Sequence, residues 1–247
     1  MRILVVNDDG IKAEGISRLA ACATKFGEVW VVAPARQCSA MSQRITVREN
    51  LEVRKADFPV MGVKAYSVDG TPADCVKVAL NHLLPEKPDI VFSGINEGYN
   101  AGHDILYSGT IGAAIEALSN GIPAIAFSSE ANGIYDVVDT YLEPITKELL
   151  PQKLPDNALW NVNFPGCSLD EYRGILRDRI PSQHQFYLDN YVKTDKENGD
   201  FVLEVRGIPV TEAEEGTDIR AVLDRYISIG VVRNAVLEGC NSSVFTY

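Results

Sequence analysis

The first ten residues, MRILVVNDDG, end an apolar run on two adjacent carboxylates, Asp8 and Asp9. Neighbouring anions repel by roughly 1 kcal/mol in water, and by more where water is excluded. A divalent cation offsets that repulsion directly. Further oxygen donors follow two other apolar runs: Ser39 in APARQCSAMS, and Asn96 and Asn100 in SGINEGYNAGHD. Carboxylate, hydroxyl and amide oxygens are hard donors, which suit Mg²⁺, Mn²⁺ or Ca²⁺ better than zinc or copper. A fourth segment, YSGTIGAA, places Ser108, Gly109 and Thr110 at an expected helix start. Free N–H groups and the positive dipole end favour an anion there, and glycine permits close backbone approach. No lysine follows in the G-K-[ST] pattern, so the segment is not a P-loop. A metal beside a helix N-terminus makes a phosphate clamp.

Each piece alone has a plainer meaning. Asp8-Asp9-Gly10 reads as a polar turn, Ser39 as a loop serine, Ser108–Thr110 as a helix cap, and the asparagines as turn residues. Their joint placement after successive buried strands favours chemistry. The histidines add little: His82 falls on a helix, His184 in a polar loop, and His103 beside Asp104 in the glycine-rich loop.

The elements that must position these residues follow from periodicity. RILVV, EVWVVAPA, PDIVFSGIN, PAIAFSS and ALWNVNF read as strands buried on both faces. EGISRLAACATKFG has helical spacing with Ile16, Leu19, Ala20 and Ala23 on one side, and TPADCVKVALNHLL reads as a helix with Thr71 as N-cap and Pro72 at its first position. Further helices are expected from Thr110 to about Asn120 and near 135–150. ITVRENLEVRKA, residues 45–56, alternates like an exposed hairpin strand, and 63–68 continues that mode. The expectation is an α/β fold with a doubly wound, mostly parallel, Rossmann-like sheet over residues 1–165. A smaller β-rich extension, 166–247, is integrated with it as a single domain and is expected to serve oligomerisation. In such sheets ligands bind beyond the carboxyl ends of the strands, where the three donor-bearing loops emerge.

Charge narrows the function classes. The 247 residues carry 23 basic and 34 acidic side chains, net −11. That sign repels nucleic-acid polymers and anionic membranes, leaving a small substrate whose site supplies its own positive charge. The five cysteines, Cys22, Cys38, Cys75, Cys167 and Cys240, are widely spaced with no C-x-x-C. They fit a reducing cytosol, and a cytoplasmic location is expected. The first apolar run is too short for a signal peptide, and no stretch approaches a membrane span.

Together ILVVNDDG, APARQCSA, VDGTPADCVKVAL, PDIVFSGINEGYNAGHDILYSGTIGAAIEA, GIPAIAFS and WNVNFP resemble the SurE family, stationary-phase survival proteins that act as metal-dependent nucleotidases. TDIRAVLDRYISI weakly echoes a family segment near the C-terminus. The resemblance implies one divalent ion per subunit, Mg²⁺ or Mn²⁺, held by Asp8, Asp9, Ser39 and Asn96. Its anion-binding turn maps onto Ser108, Gly109 and Thr110, and Asn100 matches a polar active-site position; Asp8 is the candidate base. It implies hydrolysis of nucleoside 5′- or 3′-monophosphates, in some members also polyphosphate ends, by a homodimer or homotetramer with exchanged C-terminal hairpins. Ala35, Cys38 and Ala40 depart from the pattern, replacing Asp, Arg and Gly, and Arg225 replaces a glycine before YISI.

Two rivals use similar residues. A receiver-type signalling domain also binds Mg²⁺ at paired acids after its first strand, with Asp57 and Lys87 as the nearest phosphoacceptor and lysine. However, Lys87 precedes a strand rather than following one. A haloacid-dehalogenase-type phosphatase needs a second aspartate two residues after the nucleophile, where Asp8 is followed by Gly10.

Overall fold

The computed structural model describes residues 1–238, so Cys240 lies outside the described residues. Strand β1 (Arg2–Val6) leads through helix α1 (Glu14–Ala23) to β2 (Glu28–Pro34). The predicted apolar stripe of α1 is buried at Ile16, Leu19, Ala20 and Ala23. A short excursion, β3 (Val53–Lys55) and β4 (Lys64–Val68), precedes α2 (Pro72–Val78). Thr71 and Asp74 close a capping box at the start of α2, with Pro72 at its first turn. The helix expected to reach residue 84 widens after Val78 into a π-helical turn, Ala79–Leu83. Strand β5 (Ile90–Glu97), helix α3 (Gly109–Ser119), β6 (Ala124–Ser129), α4 (Asp136–Leu149) and β7 (Ala158–Phe164) complete the alternation.

The remaining chain forms β8 (Gly174–Arg179), β9 (Tyr187–Leu188), β10 (Tyr191–Asp195), β11 (Phe201–Val205), β12 (Ile208–Pro209), α5 (Asp218–Leu223) and β13 (Tyr226–Arg233). Nine strands share one sheet in the order β3-β4-β2-β1-β5-β6-β7-β13-β8. From β4 to β7 all neighbours are parallel; β13 returns antiparallel to β7 and parallel to β8. Successive side chains of β1 point to opposite faces. Ile3 and Val5 join the layer under α1 and α4, with Ile16, Ile145 and Phe127; Leu4 and Val6 join the layer under α2 and α3, with Val76 and Ile111. Both faces are covered, which is why the central strands read as unbroken apolar runs.

The strand expected over 45–56 shrinks to Val53–Lys55. Thr46 instead turns inward to Asp74, its N–H donating at 2.9 Å and its hydroxyl at 2.7 Å, while Val47 stays 79% exposed with no sheet to cover it. Asp57 follows this exposed edge strand and Lys87 precedes β5, so neither stands where a receiver domain needs it. The hairpin β10–β11 is exposed at every position, including Tyr191, Phe201, Leu203 and Val205.

Two of the departures from the SurE pattern occupy left-handed backbone: Ala40 has φ 57° and Arg225 φ 63°. A Cβ in that region costs roughly 1–2 kcal/mol that glycine avoids. Arg225 recovers part of this through an exposed ion pair with Glu171, whereas the exposed Ala40 has only its methyl group. Ala40→Gly is therefore expected to stabilise the protein by about 1 kcal/mol, seen as a melting temperature higher by about 2–4 °C. An unchanged or lower midpoint would show that the left-handed turn carries no such cost.

Candidate active site

The strand order reverses between β1 and β5, and β2 is the other neighbour of β1. The loops bearing Asp8–Asp9, Ser39 and Asn96–Asn100 thus leave the carboxyl ends of three adjacent strands. An apolar cavity of about 350 Å³, lined by residues such as Leu118, Ile122, Leu149 and Trp160, opens at the opposite, strand-start end and includes none of these groups.

The turn after β1 is braced by Asn7, whose amide donates to the Gly10 carbonyl at 3.0 Å and accepts from the Gly10 N–H at 3.2 Å. Gly10 sits at φ 99°, and Ile11 N–H then reaches the Pro34 carbonyl of β2 at 2.9 Å. Cys38 N–H donates to the Asp8 carbonyl at 2.7 Å, which brings the Ser39 loop against the aspartate turn. The far side of that loop is fixed by Ser42, through its N–H to Tyr107 O at 2.8 Å and its hydroxyl to Leu106 O at 2.9 Å. Gln43 bonds the buried Glu116 of α3 at 3.2 Å. Ser39 itself is exposed.

Asn96 depends on a fault in β5. Its register on β6 shifts between Ser93 and Asn96, and a Cβ on Gly94 (φ 131°) would lie 2.1 Å from the Phe127 carbonyl. Only glycine passes there, and the irregularity re-aims the strand end. Asn96 Nδ2 donates to Gly98 O at 2.7 Å, leaving Oδ1 3.5 Å from the Thr110 hydroxyl. Thr110 Oγ1 in turn donates to Asp8 Oδ1 at 2.6 Å, so Asp8, Thr110 and Asn96 form one connected group. Ser108 caps α3, accepting from Ile111 N–H at 3.1 Å.

Gly109 has a more local reason than the one expected from sequence. A Cβ there would lie 2.9 Å from both Asp8 Cβ and Asp8 Oδ2, and 3.1 Å from Pro72 Cγ. The missing side chain makes room for Asp8, and the Gly109 and Thr110 N–H groups bond that carboxylate. A side chain at 109 would therefore displace a candidate metal ligand rather than only crowd a substrate.

Asn100 is buried and held on every side. Its N–H donates to Asn163 Oδ1 at 2.9 Å and its Nδ2 to Ser128 Oγ at 2.8 Å; its carbonyl accepts from Asn161 at 2.8 Å and Asn163 at 3.1 Å. Sequence reasoning missed these partners, although asparagines two apart in a buried strand were a visible signal. His82, His103 and His184 are all exposed.

The electrostatics match a cation site. Asp8 is 3% exposed; burial pushes its carboxyl up, and the Thr110 hydroxyl and helix N–H groups pull it back. Burial, then the Asp8 charge, push Asp9 up to about 6, with Glu97 adding repulsion against bonds from Glu97 N–H and Gln37. Asp9 Oδ2 accepts from Glu97 N–H at 2.9 Å, while Oδ1 is buried with no partner. An orphaned carboxylate oxygen beside a second carboxylate and an amide oxygen fits a hard divalent ion. Among the described residues no three His, Cys, Asp or Glu side chains form a metal cluster.

The Asp9 shift has a sign. An acid whose folded pKa lies above its unfolded value favours the fold at low pH and loses that contribution as pH rises through the folded pKa. For Asp9 the window runs from about pH 4 to about pH 6, and the ionised form costs about 3 kcal/mol in metal-free protein. Asp9→Asn should raise the melting temperature of chelator-treated protein at pH 7.5 by several degrees and remove the stabilisation given by Mn²⁺. A lower midpoint in the variant would contradict this electrostatic account.

A family model described as Survival protein SurE matches residues 3–186. A 5′-nucleotidase SurE of Pelotomaculum thermopropionicum is 42% identical over 235 residues, covering 93% of this chain and 88% of that protein. One from Clostridium botulinum is 38% identical, covering 93% and 91%. The crystal structure of the SurE protein from Aquifex aeolicus superposes with a TM-score of 0.80 at 38% identity, covering 94% of this chain and 93% of that one. With the reversal of strand order, the paired aspartates and the YSGT helix start in place, the chain belongs to the SurE family.

Proposed function

We propose that this protein is a metal-dependent phosphomonoesterase that hydrolyses nucleoside 5′- or 3′-monophosphates to nucleoside and phosphate. The observation that carries this reading is the convergence of Asp8, Asp9, Asn96 and the N-terminus of α3 at the point where the strand order reverses. The names of the relatives, 5′-nucleotidase SurE, support the substrate class.

Asp8, Asp9, Ser39 and Asn96 would hold one Mg²⁺ or Mn²⁺. When bound, such an ion supplies Lewis-acid charge to a phosphoryl oxygen and acidifies water. The chain supplies the rest. Thr110 orients Asp8 through their hydrogen bond, which suits a carboxylate that takes a proton from the attacking water. The Ser108–Thr110 helix end directs its dipole at the phosphoryl oxygens as charge shifts onto the leaving group. Asn100, fixed by Ser128, Asn161 and Asn163, presents a rigid polar wall.

Phosphate release from a panel of nucleotides, with Mg²⁺ and Mn²⁺ supplied in turn, tests the reading. Activity should vanish in EDTA, return with added metal, and fall sharply in Asp9→Asn together with metal affinity. Gly109→Ala should lose both turnover and Mn²⁺ affinity, because its Cβ displaces Asp8. Full activity after exhaustive chelation, with metal absence verified by elemental analysis, would overturn the proposal.

The apolar side chains on the exposed β10–β11 hairpin support assembly through that hairpin, as a homodimer or homotetramer. Light scattering at micromolar concentration should give at least a dimer, and deletion of residues 190–206 should give a monomer.

A further inference from the structure

We infer that Asp218 is a positioning residue for the catalytic loop: a buried carboxylate, contributed by the C-terminal extension, that clasps the backbone of Gly102 between Asn100 and Ser108. The inference rests on the nucleotidase reading of that loop.

Asp218 opens α5 after its cap Thr217 and is 3% exposed. Three backbone donors converge on it. Gly102 N–H reaches Oδ2 at 2.9 Å; Ser182 N–H and Ile219 N–H reach Oδ1 at 2.9 and 2.8 Å. An acid at a helix start would normally serve its own first turn. Here two of the three donors lie 116 and 36 residues away, so the carboxylate knots three segments. Hydrogen bonds to an ionised acceptor are about twice as strong as neutral ones; burial pushes the Asp218 carboxyl up, and the Gly102, Ser182 and Ile219 N–H groups pull it back.

The clasp is reciprocal. His103 N–H donates to His184 O at 2.9 Å, and Gly102 bridges to Gln185. In return Asp104 Oδ2 accepts from Phe186 N–H at 3.0 Å and Tyr187 N–H at 3.1 Å. Tyr99 and Phe186 meet edge to face with ring centroids 5.1 Å apart, over Ala101, Ile219 and Val222. Gly102 is locked in place: a Cβ would lie 2.0 Å from His184 O. The stretch from Gly102 to Asp104 therefore has its shape set from outside, by residues 182–187 and 218. Its flanks carry Asn100 on one side and Ser108–Thr110 on the other. A displacement of about 1 Å in groups of this kind can cost on the order of 10²-fold in rate.

Asp218→Asn keeps the shape but offers one acceptor oxygen, so its amide N–H₂ must face at least one backbone donor. The test measures kcat and KM for the best nucleotide, Mn²⁺ affinity, melting temperature, and hydrogen exchange of a 98–108 peptide, on wild type and D218N alike. The expected result is kcat at least 10-fold lower per folded molecule, KM changed less than kcat, Mn²⁺ affinity within about 2-fold, and faster exchange in the loop. A lower melting temperature with unchanged kcat and loop exchange would make Asp218 merely structural and overturn the inference. Wild type inactive on every nucleotide would instead sink the functional reading, and the inference with it. If D218N does not accumulate folded, Ser182→Ala gives the answer: its hydroxyl accepts from His184 N–H at 3.1 Å and donates to Glu214 at 2.8 Å, holding the turn that receives His103. A fall in kcat of about 2–5-fold with a nearly unchanged midpoint supports the clasp, and unchanged kcat refutes it.

Discussion

The repulsion between Asp8 and Asp9 governs the architecture around it. Two carboxylates are placed side by side at the end of a buried strand, where desolvation alone favours their neutral forms. The surroundings compensate Asp8 more fully than Asp9. A hydroxyl and two helix N–H groups are aimed at the first, while the second keeps one oxygen unpaired. The scaffold thereby holds one carboxylate firmly and leaves an oxygen of the other without a protein donor. The glycines at 94 and 109, the irregularity before Asn96 and the bond from Cys38 N–H to the Asp8 carbonyl all serve this placement.

The central strands were legible because each is covered on both faces and therefore reads as a solid apolar run. The candidate donors were legible because they follow such runs, and the sheet order makes β2, β1 and β5 neighbours. Legibility failed where geometry depends on distant chain. Alternation over 45–51 suggested a strand, but Thr46 is drawn to Asp74 instead. Gly109 read as a glycine that lets a helix start approach an anion; what it accommodates, Asp8, comes from the turn after β1. Asp218 looked like an ordinary first-turn acid, and nothing local announces that its partners are Gly102 and Ser182.

Ala40 and Arg225 both retain the left-handed backbone that glycine would adopt freely. Neither residue prefers that region, so the surrounding contacts must hold each turn. Around Ser39 those contacts are Cys38 to Asp8, Ser42 to Tyr107 and Gln43 to Glu116.

The position of β13 has a consequence for how the protein comes into being. The strand is formed by residues 226–233, yet it lies inside the sheet, between β7 and β8. Residue 102 likewise receives its anchor from residue 218. On a ribosome, the aspartates and the helix end that faces them emerge well before residues 218–233. A nascent chain that stops short of residue 218 therefore carries the paired aspartates without the anchor on residue 102 and without the strand that separates β7 from β8.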